Sequence, residues 1–459
     1  MLNLTMQNLA KFLGGRYRGA PNVIPQGVVI DSRKAKDGDL FFAIKGENTD
    51  GHHYVDAALA NGAVGAVISQ PKAVEEQLDK NLLICENTIR FLQDLAKLIR
   101  QNITLPVIAV TGSTGKTTTK DMVFSILKEK FNTVKTEGNY NNELGLPLTL
   151  CGITKEHEAL VLEMGMRGLG QISFLCQMAQ PTHGIITNIG QVHAELLGSQ
   201  EKIAQAKAEL LEFIPPKGSI FLNSKDRQLL KPWLERCPGA VIWFGLDSYA
   251  DIWAADIRYL GEEGSQFTVH FAGDTQDVEL NIPGEHNILN ALAAIGIARG
   301  LDISWKEIKR GLAGIELTAM RLQIENTRQG VKIINDTYNA NPTSMEAAIK
   351  VLNEISGERK IAVLGDMYEL GIYEETEHYH MGQIAYQENV DLLVAVGKLG
   401  ELIGKGAIQA GMKEEKIKFY DNNITALEFL KEIIISGDLI LVKGSRGMKM
   451  ETIVQGLMG

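Results

Sequence analysis

The sequence carries no excess of positive charge: 46 Lys and Arg stand against 56 Asp and Glu, for a formal net charge of −10. Non-specific binding to nucleic acid or to anionic lipid is driven by neutralising phosphates with cations, so neither is a main role, and an anionic ligand must meet local donors. Cysteine is scarce. The four present, Cys85, Cys151, Cys176 and Cys237, lie too far apart for a zinc site or a redox pair and read as reduced thiols of a cytoplasmic protein. No apolar run reaches the roughly 18 residues needed to span a bilayer as a helix. The N-terminal MLNLTMQNLAKFLGG spaces Leu4, Leu9, Phe12 and Leu13 as a helix does, without the continuous apolar block of a signal peptide. Internal repeats, low-complexity tracts and a GxGxxG fingerprint at a strand end are also absent.

What is present is ample core material: 459 residues, 45% hydrophobic and 22% charged. Domain-size limits divide such a length into about two to four units, and the pattern supports three. Residues 1–104 alternate short apolar runs (GVVI, LFFAI, AVGAVIS) with helical segments, giving a small α/β domain. Residues 105–314 read as βαβ units with a parallel sheet, from PVIAVTG through ALVLEMG to HGIITNIG. Within them, 252–284 alternate polar and apolar residues between turns, as an antiparallel hairpin region appended to the domain. Residues 315–459 repeat βα units (VKIINDTY, KIAVLGD, VDLLVAVG, DLILVKGS) as a Rossmann-like domain. The fold class expected is α/β with a central P-loop ATPase domain between these two.

The chemistry concentrates in VIAVTGSTGKTTTKDMV. Gly112, Ser113, Thr114, Gly115, Lys116, Thr117 and Thr118 follow an apolar strand and open a helix, where backbone amides cradle phosphate. Lys116 then reaches the β- and γ-phosphates and the Thr117 hydroxyl holds Mg²⁺. The full GxxxxGK[ST] form is not met, because Val110 replaces the first Gly. Glu163 ends the strand ALVLE, where a carboxylate either binds a metal or is merely solvated. Further on, TNIGQVHAELLGSQEKIAQAKAEL carries His193 and Lys207. The lysine lies among Ile203, Ala204, Leu210 and Leu211, either as a desolvated amine of lowered pKa or on a solvated helix face. Asn287 and Asn290, three apart at a helix start, face an aromatic base or simply cap the helix. Arg321 either braces a transferred phosphate or is solvated. The Asn-dense INDTYNANPTSM is a strand-end clamp or a turn.

Taken together, these segments resemble the Mur ligase family over nearly the whole chain. In order they are DSR with GDLFFAIKGENTDGHHY, TGSTGKTTTK, GNYNNELGLPLTL, EMGMRGLGQI, NIGQVHAELLGS, AKAE, PGEHNILNALAA, DTYNANPTSM, LGDMYELG and LVKGSRGMKME. YNANP with LGDMYELG resembles the branch that adds D-alanyl-D-alanine to the UDP-N-acetylmuramoyl tripeptide. The resemblance implies an ATP-dependent amide ligase acting through an acyl phosphate in peptidoglycan precursor synthesis, with ATP and Mg²⁺ as cofactors. It implies that Thr117, Glu163, His193 and a carbamylated Lys207 bind Mg²⁺, and that Lys116 and Arg321 take part in catalysis. Asn287, Asn290, Arg321 and Asp336 would contact the nucleotide. Ser32, Arg33, Asn139, Tyr140, Asn141, Asn142, Glu143, Tyr338 and Asn339 would contact the peptide substrates. A cytoplasmic monomer is expected, with closure hinges near residues 104 and 315.

Three positions depart from the family pattern: Thr114 for a frequent Asn, Ala319 for a frequent Gly and Ala194 for a common Leu. None removes a charge. The alternative is the sister ligase that adds the third-position diamino acid, but that branch carries an Asp-x-Pro-Arg motif absent from this sequence. A regulatory nucleotide-binding protein without turnover would not need Lys116, Glu163, His193 and Lys207.

Overall fold

The computed structural model describes residues 4–70, 80–190 and 197–459. Among these, one compact unit comprises the chain up to Ala109 with Phe131–Gly165 and Gln171–Thr182. The other comprises Val110–Lys130, Met166–Gly170 and the described residues from His183 to Gly459.

In the first unit, β-branched and aromatic runs pair into a five-stranded sheet ordered Arg16–Arg18, Leu82–Ile84, Gly65–Ile68, Asp39–Phe42 and Gly27–Val29. Only the first pair is antiparallel. Leu40, Phe41, Phe42, Val67 and Ile68 are almost wholly buried, as expected of strands covered on both faces. The helix Thr88–Gln101 starts at Asn87, whose side chain accepts from the Arg90 amide, and buries Phe91, Leu92, Leu95 and Ile99. Near its end, buried Arg100 donates to the carbonyls of Ala179 (2.7 Å) and Gln180 (2.8 Å), satisfying chain ends that its apolar neighbours cannot. The strands Thr133–Lys135 and Ala159–Glu163 pair in parallel within this unit.

In the second unit, His183–Ile186, Ser219–Asn223 and Ala240–Gly245 run parallel. The hairpin region forms as antiparallel strands Ile252–Tyr259, Ser265–Phe271 and Asp274–Leu280. It is not an appendage, however: Ile252 pairs in parallel with Phe244, so the hairpin extends the same sheet. The helix Glu285–Gly300 is buried on nearly every face. Gly296 makes this possible, since a Cβ there would lie 2.1 Å from the Phe221 ring.

The C-terminal sheet has six strands, ordered Gln323–Asn326, Lys332–Asp336, Asp438–Lys443, Arg359–Gly365, Leu392–Val396 and Ile417–Tyr420. All neighbours are parallel except the first pair. Separate apolar clusters cover its two faces, one around Ile349, Leu364 and Leu441 and the other around Val363, Ile440 and Ile453. The last strand in sequence lies between two earlier ones. This crossover is the switch point at which open α/β sheets bind ligands beyond their strand ends.

Candidate active site

The strand Val107–Thr111 is buried throughout and delivers the chain into a loop that opens the helix Lys116–Leu127. Two glycines are required there. Gly112 has φ +150° and would place a Cβ 1.8 Å from the Thr187 hydroxyl; Gly115 has φ +76° and would place one 2.7 Å from Asn290 Oδ1. The end of the neighbouring chain segment fixes the loop. The Ser113 amide donates to the Asn188 carbonyl (3.0 Å), the Thr114 amide to Asn188 Oδ1 (3.0 Å), and the Gly190 amide to Ser113 Oγ (2.8 Å). Lys116 folds back over the loop, its Nζ donating to the Gly112 carbonyl at 2.8 Å and to that of Ser113 at 3.3 Å. A cation is thus held by two loop carbonyls at the start of a helix, a place where phosphate is received.

This loop lines a cavity of 360 Å³ within the second unit, together with Asn287, Asn290, Arg321, Asp336, Asn339 and Lys443. Asn287 donates to the Pro283 carbonyl (2.7 Å) and Asn290 donates to Asn287 Oδ1 (3.2 Å), so both amides are oriented by the protein. Arg321 donates to the Thr117 hydroxyl at 3.1 Å, its guanidinium lies 4.1 Å from the centre of the Tyr338 ring, and its Nε is buried with no hydrogen-bond partner. Asp336 accepts from the Leu322 amide through Oδ1 (3.2 Å) and from Lys443 Nζ through Oδ2 (2.5 Å). The Asn339 carbonyl also accepts from Lys443, at 3.0 Å.

Lys207, near the end of the helix Gln200–Ala208, is 2% exposed. Burial drives its amine well below the ordinary lysine range, and the nearby Lys116 cation drives it further. Of the two readings open from sequence, this burial favours the desolvated amine over the solvated helix face. His193 lies outside the described residues.

The remaining expected residues fall in the first unit. Glu163, 3% exposed, accepts from Asn141 Nδ2 through Oε1 (2.8 Å), while Oε2 is buried without a hydrogen-bond partner. Asn142 Oδ1 accepts from the amides of Leu144 (3.2 Å) and Gly145 (2.9 Å), just ahead of the helix Gly145–Cys151. The Glu143 carbonyl accepts from Gln93 (3.0 Å), and Tyr140 packs beneath Gly145. Asn139 is exposed. Ser32 is buried, its carbonyl bonded to Asn61 (2.9 Å). Arg33 projects into solvent while chelated by Asp31 at 2.9 and 2.8 Å, and these hydrogen bonds pull the Asp31 carboxyl down to about 2.

Two further residues of the cavity lie inside the family-like segments LVKGSRGMKME and PGEHNILNALAA but are given no role by the sequence. Lys443 ends an apolar strand and is identifiable only once the sheet order sets it beside Asp336. His286 also lines the cavity, and burial pushes its imidazole down to about 4, so it is neutral at pH 7. Among the described residues, no three His, Cys, Asp or Glu side chains gather as a metal centre. The expected ligand set has few such groups, since it includes a hydroxyl and a lysine.

Parallel sheets, a strand–loop–helix phosphate cradle and a cavity at its mouth define an α/β protein of the P-loop nucleotide-binding class. Family models match three consecutive stretches: "Mur ligase family, catalytic domain" at residues 25–102, "Mur ligase middle domain" at 110–298, and "Mur ligase, glutamate ligase domain" at 320–446. The UDP-N-acetylmuramoyl-tripeptide--D-alanyl-D-alanine ligase of Bacillus subtilis (strain 168) is 38% identical, over 100% of this chain and 99% of its own. The crystal structure of MurF from Acinetobacter baumannii is 34% identical and superposes with a TM-score of 0.85, over 99% of this chain and 98% of that one. MurF of Thermotoga maritima in complex with ADP is 28% identical with a TM-score of 0.81, over 96% and 98%. The chain belongs to the Mur ligase family, and its three α/β domains are those of that family.

Proposed function

We propose that this protein is an ATP-dependent ligase that joins D-alanyl-D-alanine to the C-terminal carboxylate of UDP-N-acetylmuramoyl-tripeptide, a step of peptidoglycan precursor synthesis. The observation that carries this reading is the convergence of the Lys116 loop, the oriented Asn287 and Asn290 amides and Arg321 on one cavity. The similarity to the B. subtilis ligase over the full length of both chains supports the particular substrates over those of the sister ligase.

The domains we assign are 1–104 for the UDP-muramoyl peptide, 105–314 for ATP and 315–459 for completing the ligation. A carboxylate is a poor acceptor for an amine. The tripeptide carboxylate oxygen therefore attacks the γ-phosphorus of ATP, breaking the bond to the β,γ-bridging oxygen and releasing ADP. The D-alanyl-D-alanine amine then attacks the acyl carbon, loses a proton, and inorganic phosphate leaves. Lys116 and Arg321 neutralise charge on the phosphoryl group, and the loop amides orient it; such catalysis is mainly positioning and electrostatics. Ser32, Arg33 and residues 139–143 serve the UDP-muramoyl peptide in this assignment, while Tyr338 and Asn339 serve the incoming dipeptide.

The residues also fit Mg²⁺. Glu163 has a buried carboxylate oxygen without a hydrogen-bond partner, a group whose burial is costly unless something charged meets it. Carbamylation requires a neutral amine, which the depressed Lys207 supplies. We assign Thr117, Glu163, His193 and the Lys207 carbamate as ligands; the bound ion supplies positive charge to phosphate oxygens. We further propose a cytoplasmic monomer; among the described residues no helix is long and apolar enough to cross a membrane.

Phosphate release from ATP, measured with each substrate omitted in turn, tests the reading. Release should require both UDP-muramoyl-tripeptide and D-alanyl-D-alanine. Release with a free diamino acid and the dipeptide precursor would instead make the protein the sister ligase.

A further inference from the structure

The segment that delivers Arg321 to the cavity is fastened on both sides. Thr318 donates its amide (2.9 Å) and its hydroxyl (2.8 Å) to one oxygen, Oδ2, of Asp121. That carboxylate is 1% exposed and sits on the helix Lys116–Leu127, one turn after Thr117. Lys120 Nζ lies 3.5 Å from its other oxygen. Just before Arg321 the Met320 carbonyl accepts from the Tyr338 amide (3.3 Å), and just after it the Leu322 amide donates to Asp336 Oδ1 (3.2 Å).

Between these fastenings the backbone is strained. Met320 has φ +63° and Leu322 has φ +48°, so the residues on each side of Arg321 occupy the left-handed region without being glycine. Each such residue costs about 1 kcal/mol or more and persists only where its surroundings over-determine it. The strained arch ends in a guanidinium that donates to Thr117 at 3.1 Å. Helical propensity does not account for Asp121 being buried, since Asp is a weak helix former with a high desolvation cost. Its position is explained by the two donors of Thr318.

We propose that Asp121 is a positioning residue for phosphoryl transfer: through Thr318 it clasps the strained arch and sets where the Arg321 guanidinium stands relative to Thr117. The inference rests on the reading above, in which Arg321 and Thr117 serve the nucleotide. A misplacement of about 1 Å in such a group can cost on the order of a hundredfold in rate. The clasp therefore acts on kcat.

The test variant is Thr318→Val, which keeps the side-chain shape and the backbone donor and removes only the hydroxyl. Its kcat should fall about tenfold, equivalent to about 1.4 kcal/mol, with KM for ATP and both substrates unchanged. Thr318→Ser should restore kcat. In an Arg321→Lys background, Thr318→Val should cost much less than in wild type, because the group it positions is already altered. Amide hydrogen exchange across residues 318–322 should quicken in Thr318→Val, a readout independent of turnover. If wild type releases no substrate-dependent phosphate, the functional reading itself falls. If wild type is active but Thr318→Val keeps full kcat, or its loss adds in full to that of Arg321→Lys, the clasp is overturned alone.

Discussion

Lys443 and Asp336 face each other at the ends of neighbouring parallel strands, in register, with Nζ 2.5 Å from Oδ2. The side chains are 2% and 11% exposed, so each ion depends on the other for its solvation. Burial lowers the Lys443 amine while Asp336 holds it up.

Removing one partner should therefore be costly. Lys443→Met is expected to lower the unfolding free energy by about 3 kcal/mol, measured as a shift in the urea midpoint. The double variant Lys443→Met with Asp336→Leu should regain most of that stability without regaining activity, because Asp336 also holds Leu322 beside Arg321. A double variant as unstable as the single one would contradict this.

Lys207→Ala should abolish ligation. Short-chain carboxylic acids added to the assay should restore part of the rate by occupying the space of the proposed carbamate. A fully active variant would remove Lys207 from the mechanism.

Gly112→Ala places a methyl group against the Thr187 hydroxyl in a backbone region that alanine avoids. ATP affinity, followed by calorimetry, should fall at least about tenfold, a change of about 1.4 kcal/mol. Gly168→Ala, where a Cβ meets nothing within 4 Å, is the matched control and should bind normally.

Asp226 accepts from the Ile189 amide at 2.9 Å, and burial raises its carboxyl to about 6. Because this folded value exceeds the unfolded one, the folded state binds the proton more tightly. The group's penalty is fully present above about pH 6 and is relieved as pH falls towards the ordinary carboxylate value. Asp226→Asn keeps an acceptor for Ile189 and carries no charge. It should be more stable than wild type by about 1–2 kcal/mol at pH 8, with the difference vanishing by about pH 4. Denaturant unfolding at the two pH values decides the matter.

The parts of this molecule legible in its sequence were those whose signal is local. The phosphate loop is a contiguous string, and the four apolar runs of the C-terminal domain each became a buried strand. Its two edge strands, Gln323–Asn326 and Ile417–Tyr420, escaped notice because they are short and partly exposed, with little apolar pattern to betray them. The hairpin strands were legible from their alternation. Their continuity with the parallel sheet was not, since it depends on pairing with a separate strand at Phe244. Lys443 and Asp121 act through partners 107 and 197 residues away, and no spacing rule reaches so far. Asn142 reads as a substrate contact in the sequence, and that its Oδ1 also accepts from the amides of Leu144 and Gly145 could not be read until those backbone donors were placed.

The notch at Gly296, into which the Phe221 ring fits, ties one wall of the cavity to the depth of the sheet beneath it. Asn287 and Asn290 ride on the same rod as that notch, so any bulk added there would lift the rod and carry both amides with it. In the proposed reading of these amides, affinity for the base becomes adjustable from a position outside the cavity lining, which a search for tuning mutations confined to the cavity wall would overlook.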